Sequence, residues 1–194
     1  MFLARVMGHG PPTDAREALA ANLYEEQTGG ISHTAPHPEL FLRMMDACGY
    51  VRADFDAVTL LPAAAEYRAW LDAQTTQAPW WVGFAVTAIF VEGSANERAD
   101  LATPPHAGPV DEAEIARAVA AHPLVRVHKI PADAMQLTRV HRTVEAGHRH
   151  DAWRIVERHA TDADAAVLVG VLEDALARWL AYRDAVAEAC GLVR

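Results

Sequence analysis

The segment from Val140 to Trp153, VHRTVEAGHRHDAW, places three potential metal ligands at helical spacing. His141, Glu145 and His148 stand at positions i, i+4 and i+7, so a helix would carry all three side chains on one stripe. Two imidazoles and one carboxylate offer nitrogen and oxygen donors that suit iron, manganese or zinc. If a helical bundle buries this stripe, these groups need a metal, a proton or another partner. The alternative is that one or two of these histidines are solvated surface residues.

The composition favours a packed helical protein. The chain has 194 residues, of which 52 % are hydrophobic, enough for one domain with a substantial core. Its formal net charge of −9 argues against a nucleic-acid partner reached through a basic surface. Its two cysteines cannot form a disulfide framework, so we expect a reducing cytoplasm. The N-terminus makes a poor signal peptide. Because the sequence has no apolar stretch of about 18 residues without a charge, we expect no membrane span.

Apolar periodicity and helix-terminating residues predict a single all-α domain of about seven helices. Residues 1–12, which end in a Gly-Pro-Pro sequence, are expected to be a short irregular lead-in. Pro62 should either kink the third helix or mark its true first turn. The Pro-rich residues 98–112 are predicted to form a loop. Helices are expected over approximately 15–28, 38–48, 56–73, 80–96, 112–121, 133–159 and 162–190.

Three further segments contain candidate donors. Glu26 continues the apolar face of the first helix, and Glu25 lies about 100° away from it. His37 stands at the start of the second helix, and His33 is a second histidine of the same loop. Glu92 follows four apolar residues in the most apolar helix. Each has a simpler explanation when taken alone: surface acids at a helix end, loop or capping histidines, and a glutamate at the solvated end of a helix.

Together these segments supply three carboxylates and three imidazoles, the number needed for two iron ions rather than one. A ferritin-like di-iron bundle would use two Glu-x-x-His pairs on separate helices. Glu145 and His148 form the only such pair in this chain, which favours a different kind of bundle.

Three sequence motifs together resemble one known family. NLYEEQTGG followed by PHPELFLRMMDACGY is similar to the family's paired early helices, and FVEGSAN around Glu92 resembles a middle helix that supplies a further glutamate. The His-x3-Glu-x2-His motif that begins at His141 resembles a late metal motif, usually His-x3-Asp-x2-His. The family is that of the haem-oxygenase-like di-iron oxidases, or iron-containing redox enzymes, which are relatives of the TenA and PqqC proteins. The resemblance covers residues from about 15 to 190.

The resemblance implies a haem-oxygenase-like bundle that holds two iron ions per chain and uses O2 as co-substrate. Glu25 and His33 are rivals within their segments, and Glu145 replaces the usual aspartate with a side chain one methylene longer. Relatives usually have a further helix where this chain has residues 1–12. We therefore expect a pocket that is more open, a pocket that a neighbouring subunit of a homodimer closes, or a true start that differs from Met1. The implied iron ligands are Glu26, His37, Glu92, His141, Glu145 and His148.

The resemblance also implies oxidation of a small organic substrate, an amine, an amino acid or a fatty acid, in specialised metabolism. Tyr24, Phe84 and Trp179 are candidate pocket residues, although aromatic residues at helical spacing are usually core. Imidazole ligands need orienting acceptors, for which Asp151 and Glu157 lie on the same helix as the late motif. No nucleotide-binding motif is present, so electrons are expected from the substrate or from an external donor.

Three alternatives stay open. The first is a cofactorless or thiamin-salvage enzyme of the same fold; the latter needs a cysteine nucleophile, and Cys48 and Cys190 both lie near helix ends beside glycine. The second is a haem-binding relative, which would need one proximal histidine and would leave the carboxylates unexplained. The third is a metal-free helical binding protein, against which the six donors in register argue.

Overall fold

A computed structural model describes residues 1–93 and 111–192, except for the side chains of residues 144–147. Within these residues the chain is helical and contains no strand. The helices, numbered in chain order, are α1 Phe2–Gly8, α2 Thr13–Thr28, α3 His37–Ala47, α4 Pro62–Thr76, α5 Trp80–Phe84, α6 Glu112–Ala121, α7 Pro123–Arg126, α8 Gln136–His159 and α9 Asp162–Ala189. Two short 3-10 helices, Arg52–Phe55 and Ala132–Met135, lie between them.

The predicted all-α class is confirmed, and each of the seven predicted helices is present in the described residues. Pro62 occupies the first turn of α4, where its missing N–H leaves no intrahelical hydrogen bond unmade. The preceding residue, Leu61, has an extended conformation, as a following proline favours. Pro62 therefore begins this helix rather than kinking it.

The prediction that residues 1–12 are irregular is wrong, because Phe2–Gly8 form helix α1. Val6 on this helix is 0 % exposed, and Leu3 and Met7 pack against the same core cluster. These three residues are spaced at i, i+3 and i+4, which places them on one face. The short apolar run thus gains its stability from packing rather than from helix length.

The helix predicted for residues 80–96 is shorter in its described part and changes its geometry. After Phe84 the backbone continues as a π-helix, Ala85–Phe90, in which the Val91 N–H donates to the Val86 carbonyl oxygen at 3.1 Å. Residues 91–93 are not helical, and residues 94–96 lie outside the described part. One-turn π-helices inside α-helices are frequent at functional sites.

The chain divides into two compact units. The first comprises Met1–Leu19, Thr59–Glu97 and Asp151–Arg194, and Phe84, fully buried, is the largest side chain of its core. The second comprises Ala20–Val58 and Arg98–His150. Among its described residues, Ile115, Val119 and Met135 form a cluster of buried apolar side chains. Helices α2 and α8 each contribute residues to both units, and the expected single domain stays a prediction.

The described helices show no membrane-spanning segment. None of them combines the length and the apolar character needed to cross a bilayer.

Candidate metal centre

One carboxylate and two imidazoles come together in the second unit. Ligand atoms of Glu26, His37 and His141 all lie within 4.8 Å of one another. They come from the last turn of α2, the first turn of α3 and the first half of α8. The ring centroids of the two histidines are 5.1 Å apart. Among the side chains that the structure describes, this is the one group of three or more donors that could hold a metal ion.

A tight turn after α2 returns the chain to the end of that helix. Gly29 has φ +63° and donates its N–H to the Glu25 carbonyl oxygen at 2.7 Å, so it ends the helix in a left-handed conformation. The Thr34 N–H then donates to the Gly29 carbonyl oxygen at 2.9 Å, which closes the loop. This closed loop places His37, the first residue of α3, beside the carboxylates of α2.

Glu25 holds this loop in place by accepting hydrogen bonds from its backbone. Its carboxylate is 0 % exposed, and its Oε2 accepts the backbone N–H groups of Ile31 at 2.8 Å and Ser32 at 3.0 Å. The other oxygen, Oε1, lies 3.3 Å from Nε2 of His37. Burial would raise the pKa of Glu25, but hydrogen bonds from Ser32, Ile31 and His37 hold it below its usual value. The side chain is therefore a buried, ionised hydrogen-bond acceptor.

The second ring nitrogen of His37 faces the cluster. Its Nδ1 is buried and lies 2.8 Å from Oε1 of Glu26. Two ligand atoms at about 2.1 Å from one metal ion and at a right angle lie about 3.0 Å apart. The distance between Nδ1 of His37 and Oε1 of Glu26 is therefore close to the distance between two ligand atoms of one ion.

The charges around the cluster favour a cation. Burial opposes the charged form of His37, but the carboxylates of Glu26 and Glu25 raise its pKa above the ordinary value. Burial and then the neighbouring His37 lower the pKa of His141, with Glu26 acting in the opposite direction. Both carboxylates lie in the last turn of α2, where the helix dipole adds negative potential. A bound cation would offset this concentration of negative charge.

The donor set fits iron. Two imidazoles and one carboxylate, with further positions open, form the ligand combination typical of non-haem Fe(II) enzymes that react with O2. The buried Nδ1 of His37, which faces the carboxylate of Glu26 across 2.8 Å, is an atom that such an ion would bind.

The remaining predicted ligands are distributed as follows. His148 lies on α8 in the second unit and Glu92 in the first; both are half-buried, and both have interaction partners. The side chain of Glu145 lies outside the described residues. Exposed His33 has a left-handed φ of +56°, at the turn of the α2–α3 loop. The assignment of Glu92, Glu145 and His148 as ligands stays a prediction.

The three predicted pocket residues have different surroundings. Trp179 lines a cavity of about 530 Å³ in the first unit, together with Trp153, Leu172 and other apolar residues. Phe84 is fully buried in the core of that unit. Tyr24 is 55 % exposed, and its ring covers Gly30 so closely that a Cβ there would lie 2.3 Å from it. Contact of any of the three with a substrate stays a prediction.

Sequence reasoning missed the role of Glu25. Its position in the sequence suggests only a rival ligand, whereas in the structure its oxygens contact the loop N–H groups and His37. The candidate orienting acceptors Asp151 and Glu157 are both exposed. The Gly-Gly pair that follows the glutamates was the available signal, because a left-handed turn returns backbone N–H groups toward the helix end.

The helical architecture and this donor set define an all-α protein with a candidate non-haem iron centre. The family model of the iron-containing redox enzymes matches residues 2–183. The chain therefore belongs to this haem-oxygenase-like family, which confirms the resemblance and the predicted fold class. Membership makes it, at the coarse level, an oxidoreductase of an iron-containing kind. No curated protein and no solved structure gives a significant match to the chain.

Proposed function

We propose that this protein is a non-haem di-iron enzyme that uses O2 to oxidise a small organic substrate. The observation that carries the proposal is the cluster of Glu26, His37 and His141, which has the composition of a non-haem iron site. These residues would hold one ion. The full set of six ligands that the resemblance implies, which adds Glu92, Glu145 and His148, would provide for a second ion. Bound iron would supply the redox chemistry that amino-acid side chains lack.

The side chains of the cluster have separate tasks in this proposal. His37 and His141 supply neutral nitrogen donors, and the negative charge of Glu26 offsets part of the charge of the ion. Glu25 belongs to the loop that holds His37 at the start of α3. The three donors, which come from three helices, already lie close together. Fewer side chains therefore have to become ordered when an ion binds.

The substrate class follows from the family resemblance. We propose an amine, an amino acid or a fatty acid, with Trp179 in contact with it and with electrons from the substrate or an external donor.

The test is anaerobic loading of the purified protein with Fe(II), followed by exposure to O2 while visible absorbance is recorded. We expect about two irons per chain, as a two-metal site requires, and a transient O2-dependent band. His141→Ala should lose iron from the cluster and lose the band. His33→Ala is the matched control, because it removes an exposed histidine and should retain both signals. Iron no higher than background in the unsubstituted protein would overturn the proposal and favour a metal-free relative.

A further inference from the structure

The middle of helix α9 carries large apolar side chains on a face that the core of its unit leaves exposed. Leu176 and Leu180, one turn apart, are each 47 % exposed, and Trp179 between them is 37 % exposed. The side of α9 that packs on the core instead carries Leu168 and Ala175, which are both buried. Adjacent exposed apolar side chains of this size are typical of an interaction surface.

Two exposed residues of opposite charge flank the leucines at equal spacing. Glu173 precedes Leu176 by one turn, and Arg183 follows Leu180 by one turn. This spacing places all four side chains on the same face of the helix. Among the described residues, neither Glu173 nor Arg183 forms an ion pair, and the Arg183 guanidinium lies 5.2 Å from the ring centroid of Trp179. Each end of the leucine pair therefore has a charge that is available to a partner.

The order of these four side chains is complementary to itself when two helices run antiparallel. Around a two-fold axis at the level of Arg178, Glu173 faces Arg183 of the partner subunit. The same axis places Leu176 opposite Leu180 of the partner subunit. An isologous dimer makes each of these contacts twice. A parallel pair would instead place each charge opposite its own copy, and apposed like charges are unfavourable.

We propose that this face of α9 binds a second copy of the chain, with the two α9 helices antiparallel and in contact over residues 173–183. Ala177, between the leucines, is small and exposed, so the helix axes can approach to about 8–10 Å. Packed helices cross at an angle and separate beyond the crossing point, which confines the contact to these three turns. The inference is independent of the proposed function.

The size of this contact determines how stable the dimer should be. Four side chains per copy bury less than the roughly 1,200–2,000 Å² of a stable interface, so we expect a dimer that dissociates reversibly in the micromolar range. Because Leu176 also lines the cavity of about 530 Å³, the second copy would lie next to that cavity.

The first experiment is sedimentation velocity of the full chain across the micromolar range, where we expect a shift from monomer to dimer. Leu176→Asp places a charge in the apolar centre of the contact and should leave the chain monomeric over the same range. Val167→Asp is the matched control, because Val167 is also exposed on α9 but lies about 180° around the helix from Leu176. Thermal unfolding of both variants separates a loss of association from a loss of structure.

The second experiment tests the antiparallel pairing by exchanging the charges. Glu173→Arg alone and Arg183→Glu alone each create two contacts between like charges, and each should raise the dissociation constant by at least about 10-fold. The double variant exchanges the two charges, restores both ion pairs and should dimerise as the unsubstituted protein does. In a parallel pair the double variant would still place like charges together, so its recovery identifies the antiparallel arrangement.

Three results would overturn the proposal. An unsubstituted chain that stays monomeric across the concentration range leaves this face to a different partner. A dimer that a folded Leu176→Asp variant forms equally well uses another surface. A double variant that dimerises no better than the two single variants shows that Glu173 and Arg183 do not face each other between the copies.

Discussion

Gly29 and Gly30 stand side by side in the turn that shapes the candidate site, but they are needed for different reasons. Gly29 has a left-handed φ of +63°, and a Cβ there would lie 2.4 Å from the backbone oxygen of Thr34. A Cβ on Gly30 would instead meet the ring of Tyr24, the mobile end of a half-exposed side chain. The backbone obstacle cannot move without opening the loop, whereas the ring can turn toward solvent.

These differences predict unequal effects of alanine at the two positions. Gly29→Ala should lower the free energy of unfolding by at least about 1 kcal/mol, from the left-handed conformation alone. It should also weaken Co(II) binding, because the loop that holds His37 must shift. Gly30→Ala should change both quantities less. Chemical denaturation and metal titration of the two variants provide the check, and equal losses in the pair would contradict this account of the turn.

Helix α1 shows how an element can depend on one buried residue. Val6 is fully buried in the core of the first unit, although the helix has only seven residues. Val6→Ala should lower the free energy of unfolding by about 2 kcal/mol, since two methyl groups leave a packed core. Val169→Ala on α9 is the control, because this valine is exposed and its truncation should have little effect. An unchanged unfolding curve for Val6→Ala would mean that α1 does not stabilise the core.

The helices were predictable because their signals are local. Pro62 begins α4 and Gly29 ends α2, as their fixed and left-handed backbone preferences require. The π-helix Ala85–Phe90 was not predictable, because an i+5 hydrogen bond leaves no periodic signature in so short a segment. Helix α1 was missed because a seven-residue helix is unstable alone and depends on packing partners that are distant in sequence.

The candidate site was predictable in part for the same reason. His141 was recognised by its spacing on a helix, and Glu26 by its place on an apolar face. Their approach to His37 is a tertiary outcome, which the family resemblance supplied and the residues alone did not. The role of Glu25 was missed because it depends on a loop returning two backbone N–H groups, and side-chain spacing contains no information on that path.

At the scale of the whole chain, the side chain of Asp14 connects two segments that are far apart in sequence. Asp14 in the first turn of α2 accepts hydrogen bonds from Nε2 of His159 at 2.9 Å and from Arg158 at 2.8 Å, both at the end of α8. The hydrogen bond from His159 is the main cause that lowers the pKa of Asp14; burial opposes it and Arg158 adds to it. A carboxyl group whose pKa is lower in the folded than in the unfolded chain stabilises the fold only while it is ionised.

The pH dependence of stability follows from that sign. The contribution of Asp14 should be fully present above its unfolded pKa of about 3.9 and should be lost as the pH falls through the lower folded value. Asp14→Asn should therefore be less stable than the unsubstituted protein at neutral pH, and the difference should shrink in acid. Asp151→Asn, which removes an exposed aspartate from α8, should show no such convergence. The check is to measure the unfolding midpoints of both proteins across this acidic range. If the difference between Asp14→Asn and the unsubstituted protein stayed constant with pH, the carboxylate charge of Asp14 would not hold the two helix ends together.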